Sequence, residues 1–101
     1  MGRMKRIEAL SKLKDHAETI KAMGATALYL FGSTVRNEAK ESSDLDLFID
    51  YDPSTKFNAL DLVGIKQLLE DELKIPVDVM TRDGLHPMLR HDIEQTAVRV
   101  F

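Results

Sequence analysis

The chain contains no cysteine, so disulfides, zinc–thiolate sites and thiol catalysis are all excluded. It has no apolar run approaching the ~20 residues needed to cross a bilayer. Its opening residues, MGRMKRIEAL, lack the long apolar core of a secretory signal, and Arg6 stands where a myristoylation signal places Ser or Thr. A cytoplasmic chain without membrane association is expected. Excess positive charge is also missing. The formal net charge of −3 argues against a broad electrostatic footprint for nucleic acid, and direct nucleic-acid binding is not expected. Neither GxGxxG nor GxxxxGK[ST] occurs, which removes the dinucleotide fold and the P-loop. No Ser-His-Asp arrangement suggests acyl transfer. His86 and His91 are five residues apart and do not share a helix face, so they do not read as a metal pair. Repeats, low-complexity tracts and linkers are absent. The remainder, 101 residues with 44% apolar and 31% charged content, describes one globular domain over 1–101 with room for a single core.

The stretch YLFGSTVRNEAKESSDLDLFIDY, Tyr29 to Tyr51, carries the chemistry. A hydrophobic strand ends in Phe31 and is followed by Gly32-Ser33. After ten further residues Asp44-Leu45-Asp46 opens a second apolar strand. Side chains alternate along a strand, so Asp44 and Asp46 point the same way with Cα atoms ~7 Å apart, while Leu45, Leu47 and Ile49 point into a core. Two carboxylates converging from one strand suit a hard cation such as Mg²⁺, which completes its shell with water and phosphate oxygens. Gly32 lets the backbone approach a ligand where a Cβ would clash. Ser33 offers a hydroxyl and an N–H at an expected helix start, where anions are favoured. A phosphate binder beside a metal binder implies a nucleoside triphosphate with its metals. Taken singly these are ordinary turn residues, and Asp-Leu-Asp could be a solvated strand edge; the full constellation points to a site.

Periodicity outlines the rest. Met4, Ile7, Leu10, Leu13, Ala17 and Ile20 predict a helix over about 3–23 packed on the domain's own sheet, with Gly24 as its C-terminal cap and His16 off the stripe and solvated. Ala25–Phe31 is a first strand. A short helix over about 33–37 would place Arg36 one turn in, either beside the phosphates or simply on the surface. Asp44–Tyr51 is the second strand, with Asp50 on the face of Asp44 and Asp46 but beyond the metals. Asp52-Pro53-Ser54 turns the chain. Leu62, Ile65, Leu69 and Leu73 predict a helix over about 58–73, with Gly64 a point of close packing on the sheet. Pro76–Thr81 is a third strand. In it Asp78 is alone among apolar neighbours, and a buried carboxylate is costly unless paired. It is either a functional group or an edge aspartate facing solvent. Pro87 suits the first position of a last helix, striped by Leu89, Ile93 and Ala97. The order of elements gives an α/β (α+β) fold: a small mixed three-stranded sheet, helices mainly on one face, and the opposite face open as a cleft.

Gly-Ser, ten residues and Asp-x-Asp is the signature of the DNA polymerase β-like nucleotidyltransferase superfamily. The short length and the ending TRDGLHPMLRHDIEQTAV resemble the minimal nucleotidyltransferase (MNT) family, the antitoxin half of HEPN/MNT toxin–antitoxin pairs. The resemblance covers nearly the whole chain. It implies a polymerase β-like fold, with a third carboxylate on the next core strand that ligates one metal and helps deprotonate the attacking hydroxyl; Asp78 stands at that place. Two Mg²⁺ ions would be shared by Asp44, Asp46 and Asp78, and the triphosphate would rest on Gly32, Ser33 and Arg36. Family members often follow this arginine with glycine, where this chain has Asn37. The resemblance further implies ATP as substrate, AMP as the transferred group and a tyrosine of a HEPN ribonuclease toxin as acceptor. Two other functions are open: a non-catalytic antitoxin that neutralises its partner by contact, and a subunit of a small-molecule nucleotidyltransferase, whose acceptor would need a further wall beyond the third strand.

Overall fold

The structure, a computed structural model, describes residues 5–32, 34–35 and 44–101. The N-terminal helical stretch is two helices, α1 (Arg6–Asp15) and α2 (Ala17–Ala22). The predicted single helix breaks at His16, whose backbone leaves helical values at φ −105° and ψ 9°. The break changes which residues pack: Ala9, Leu13 and Ile20 are buried, whereas Ile7 is 80% exposed. His16 is not simply solvated, since its Nε2 lies 3.9 Å from Glu72 of the third helix. Gly24, with φ +117°, caps this unit as expected, and the Phe57 ring occupies the space a Cβ would need.

β1 (Ala25–Phe31) and β2 (Leu45–Tyr51) pair antiparallel, with Phe31 opposite Asp46. The α3 helix (Ala59–Leu73) then carries the chain across to β3 (Val77–Thr81), parallel to β2. α3 begins in a capping box: the Asn58 side chain accepts from Leu60 N–H at 2.8 Å, and the Asp61 carboxylate accepts from Asn58 N–H at 2.9 Å. Ile65, Leu69 and Leu73 turn inward, as their spacing predicts. Gly64 packs not on the sheet but against Met23, whose Cε would lie 3.1 Å from a Cβ there. After a 3₁₀ turn (Arg82–Gly84) come α4 (Pro87–Thr96) and β4 (Val98–Arg99).

Among the described residues the sheet has four strands, in the order β3-β2-β1-β4, not three. β4 is only two residues long, too short for alternation to reveal it. Main-chain bonds extend it, from Val100 N–H to Leu28 O at 2.7 Å and from Leu28 N–H to Phe101 O at 3.2 Å.

The main core lies between α1, α2 and α3 and one face of the sheet, formed by Leu28, Leu30, Leu45, Leu47, Ile49, Val77 and Val79. The other face is not wholly open. Phe31, Phe48 and Leu85 form a second buried cluster, joined by Tyr29, Met80, Ile93 and Ala97, so α4 covers the middle of this face. Leu85, just before the helix, takes the inward place expected of Leu89, which is 54% exposed. Arg82 fastens the cover: its Nε and Nη2 donate to the two Asp50 oxygens at 2.8 and 3.0 Å, and its Nη1 donates to Glu94 at 2.8 Å. Its guanidinium lies 5.0 Å from the centroids of both Tyr29 and Phe48. Asp46 and Asp78 lie at the end of this face beside Gly32.

Candidate active site

The alternation that buries Leu45 and Leu47 sends Asp46 to the second face. In the β2–β3 register Asp46 stands directly opposite Asp78, so residues 32 positions apart become neighbours on one face. Asp44 stands one residue before β2 and is exposed; Asp46 is half-buried. Asp78 lies on the edge strand and is exposed. It is therefore an edge aspartate facing solvent, in register with Asp46.

Burial raises the Asp46 pKa above its ordinary 3.8, and the negative charges of Asp78 and then Asp44 push it the same way. Among the described residues none donates a hydrogen bond to this carboxylate. The cluster thus holds negative charge that a cation would relieve. Its all-oxygen donor set fits Mg²⁺, which uses few protein ligands and fills its shell with water and phosphate oxygens. Among the described residues, Asp44, Asp46 and Asp78 included, no group of three acidic or histidine side chains is placed to hold a metal ion by itself.

Gly32 sits against the same carboxylate. Its φ is +82°, and a Cβ here would lie 2.5 Å from Asp46 Oδ2 and 3.3 Å from its Cγ. A side chain would meet both left-handed strain and the Asp46 carboxylate. Thr34 and Val35 follow in a turn: Val35 N–H bonds back to Gly32 O at 3.2 Å, and the Val35 carbonyl accepts from Arg6 Nη1 at 3.5 Å. The expected roles of Ser33 and Arg36, the short helix, Asn37 and the polar loop through Ser43 fall outside the described residues, apart from this turn.

Asp50 lies on the same face two pleats on, as predicted, and is engaged elsewhere. The hydrogen bonds from Arg82 hold its carboxyl below the usual range. A hollow of about 110 Å³ beside it is lined by Asp50, Tyr51 and Arg82, and one of about 240 Å³ by Tyr51, Phe57 and Leu62; neither is lined by Asp44, Asp46 or Asp78.

Sequence reasoning passed over two residues that fasten the sheet, one on each side of it. Arg82 reads as part of a turn, Arg82-Asp83-Gly84, and its partners lie 32 and 12 residues away. Glu70, whose carboxylate accepts from Val77 N–H at 2.9 Å, shows in sequence only as an ordinary helix pair with Lys66.

The model of the nucleotidyltransferase domain family matches residues 10–100, nearly the whole chain. The chain belongs to this family. As a nucleotidyltransferase it is 40% identical over 78 residues to a candidate protein adenylyltransferase of Methanocaldococcus jannaschii, a match covering 77% of this chain and 82% of that protein. Among solved structures, a minimal nucleotidyltransferase superposes with a TM-score of 0.72 at 31% identity, over 97% of this chain and 98% of that one. The fold is also that of a chain from a complex of tri-AMPylated Shewanella oneidensis HEPN toxin with its MNT antitoxin. There the TM-score is 0.64 at 14% identity, over 91% of this chain and 71% of that chain. Among the described residues no helix is long and apolar enough to cross a membrane.

Proposed function

We propose that this nucleotidyltransferase is a Mg²⁺-dependent cytoplasmic adenylyltransferase, a single domain over 1–101, that moves AMP from ATP onto a tyrosine of a HEPN-family toxin and thereby acts as its antitoxin. One observation carries the reading. Gly32, in a backbone conformation closed to most side chains, abuts the half-buried Asp46 carboxylate, which is in register with Asp78. A phosphate-approaching turn and an acidic pair short of a cation meet at one sheet end.

In this reading the triphosphate lies along the backbone at Gly32, with Ser33 and Arg36 contributing a hydroxyl and a positive charge. Asp44 and Asp46, with Asp78, would hold two Mg²⁺ ions, which would neutralise the phosphates and stabilise the attacking and leaving oxygens. Asp78 faces the incoming hydroxyl and takes its proton. The acceptor oxygen bonds to the α-phosphorus as the bond to the bridging oxygen breaks, and pyrophosphate leaves with the electron pair. The acceptor comes on a second protein, which fixes the hydroxyl in reach and makes the step effectively unimolecular. The relative from M. jannaschii described as a protein adenylyltransferase and the AMPylated toxin in the complex with this fold support that choice of acceptor.

The test is co-expression with the HEPN-family partner followed by intact-mass measurement of the partner. The parent chain adds AMP-sized mass; the Asp44→Ala/Asp46→Ala double variant still co-purifies but adds none. If the double variant protects cells as well as the parent and no mass appears with either, contact alone neutralises the toxin and the catalytic reading falls.

A further inference from the structure

We infer that Glu70, on a helix at the opposite side of the sheet from the candidate site, is a positioning residue for Asp78 and through it for the metal; this rests on the role proposed for Asp78.

β3 is an edge strand, and among the described residues only β2 pairs with it. Pro76 turns its carbonyl toward β2, where Leu45 N–H bonds it at 3.0 Å. The trans peptide joining Pro76 and Val77 then points the Val77 N–H the opposite way, away from β2. An edge amide of this kind would normally bond to water and leave the strand free to shift. Here it donates instead to Glu70 Oε2 at 2.9 Å. The same oxygen accepts from Lys66 Nζ at 2.8 Å, so two donors converge on it and fix the carboxylate's orientation. Glu70 stands on a firm base, because its neighbour Leu69 and then Leu73, one turn on, are buried in the main core.

A chain of contacts therefore runs from the core through α3 and Glu70 to Val77, whose backbone carries Asp78 as the next residue, opposite Asp46. Asp78 itself is exposed, and packing does not hold its side chain. Its approach to Asp46 depends on where β3 begins, and Glu70 sets that point. The Lys66 ammonium also offsets the Glu70 charge, so the clamp itself carries no net charge.

Mn²⁺ titration in the presence of a non-hydrolysable ATP analogue, with amide hydrogen exchange at Val77, reads this directly. Glu70→Ala keeps a good helix former on α3. It should speed Val77 exchange and weaken Mn²⁺ binding by roughly 10–100-fold, the usual effect of losing a group that orients a metal ligand. Glu70→Gln retains a carbonyl acceptor and should recover most of that loss. In an Asp78→Asn background, Glu70→Ala should change Mn²⁺ affinity by less than about twofold, since the two act through one group. Lys66→Met, which loosens the clamp without removing it, gives the same comparison with a smaller loss if Glu70→Ala fails to fold. An equal loss in both backgrounds, or no loss from Glu70→Ala where Asp78→Asn has one, overturns the inference while leaving Asp78 in the site. Parent-like Mn²⁺ affinity and AMP transfer in Asp78→Asn would instead remove the proposed role of Asp78, and this inference with it.

Discussion

Asp46→Asn should make the metal-free protein more stable while disabling it. Asp46 is half-buried, its pKa is raised by burial and by Asp78 and Asp44, and no described residue donates a hydrogen bond to it. Asparagine keeps the shape and removes the charge. The neighbouring carboxylates lie ~5–7 Å away by strand geometry, where a pair of unit charges repels by roughly 0.7–3 kcal/mol between bulk-water and near-surface screening. Asp44 and Asp78 are both exposed, so the screened end applies, and relief amounts to about 1 kcal/mol for the two together. For a chain of this size that is a rise of ~4–8 °C in Tm. The sign with pH follows from linkage. A carboxyl whose folded pKa is raised favours the fold below its unfolded value, 3.8, and that contribution is lost as pH rises through the folded pKa. The gap between variant and parent should thus be full at pH 7.5 and shrink as pH falls toward ~4. Differential scanning fluorimetry in chelator at low salt measures it. Added Mg²⁺ with ATP should then stabilise the parent and not the variant. Equal Tm values at pH 7.5, or a variant less stable than its parent, would refute the account of charge crowding at this site.

Three other outcomes follow from the same geometry. Gly32→Val must adopt φ +82° and displace the Asp46 carboxylate; left-handed strain of about 1–2 kcal/mol lowers Tm, and calorimetric titration should show ATP binding lost, whereas parent-like affinity would place the phosphates elsewhere. Phe48→Ala empties the middle of the second cluster, where Phe48 is 1% exposed and stacks on Tyr29 at 4.7 Å, and should cost about 3–5 kcal/mol in urea unfolding. Asp50 is held below its ordinary 3.8 first of all by the Arg82 hydrogen bonds, so its contribution is present above that value and lost as pH falls through the folded pKa; Asp50→Asn should lower Tm at pH 7 and flatten the acid limb, and an unchanged acid limb would deny the clamp that role.

What could be read from the chain alone was whatever contacts near in sequence decide. The α3 helix was legible because Ile65, Leu69 and Leu73 recur at its period, while its Asn58–Asp61 capping box emerged only in the structure. β1, β2 and β3 were legible because alternation within each strand assigns its faces, and the same alternation placed Asp46 and Asp78 off the core. Gly32, Asp44 and Asp46 stood out because a turn and the start of the next strand are separated by a fixed spacer. The rest depended on pairing between distant segments. A two-residue β4 exists only because β1 offers it a ladder. The break at His16 accompanies the burial of Ala9, Leu13 and Ile20 in the core, which a continuous apolar stripe does not show. The α4 cover depends on Arg82 finding Asp50 and Glu94, and periodicity within the helix does not show that Leu85 displaces Leu89. Residue types could nominate the carboxylates. Only the β2–β3 register could set Asp78 opposite Asp46 and crowd their charges, because repulsion depends on distance in space and the sequence records distance along the chain.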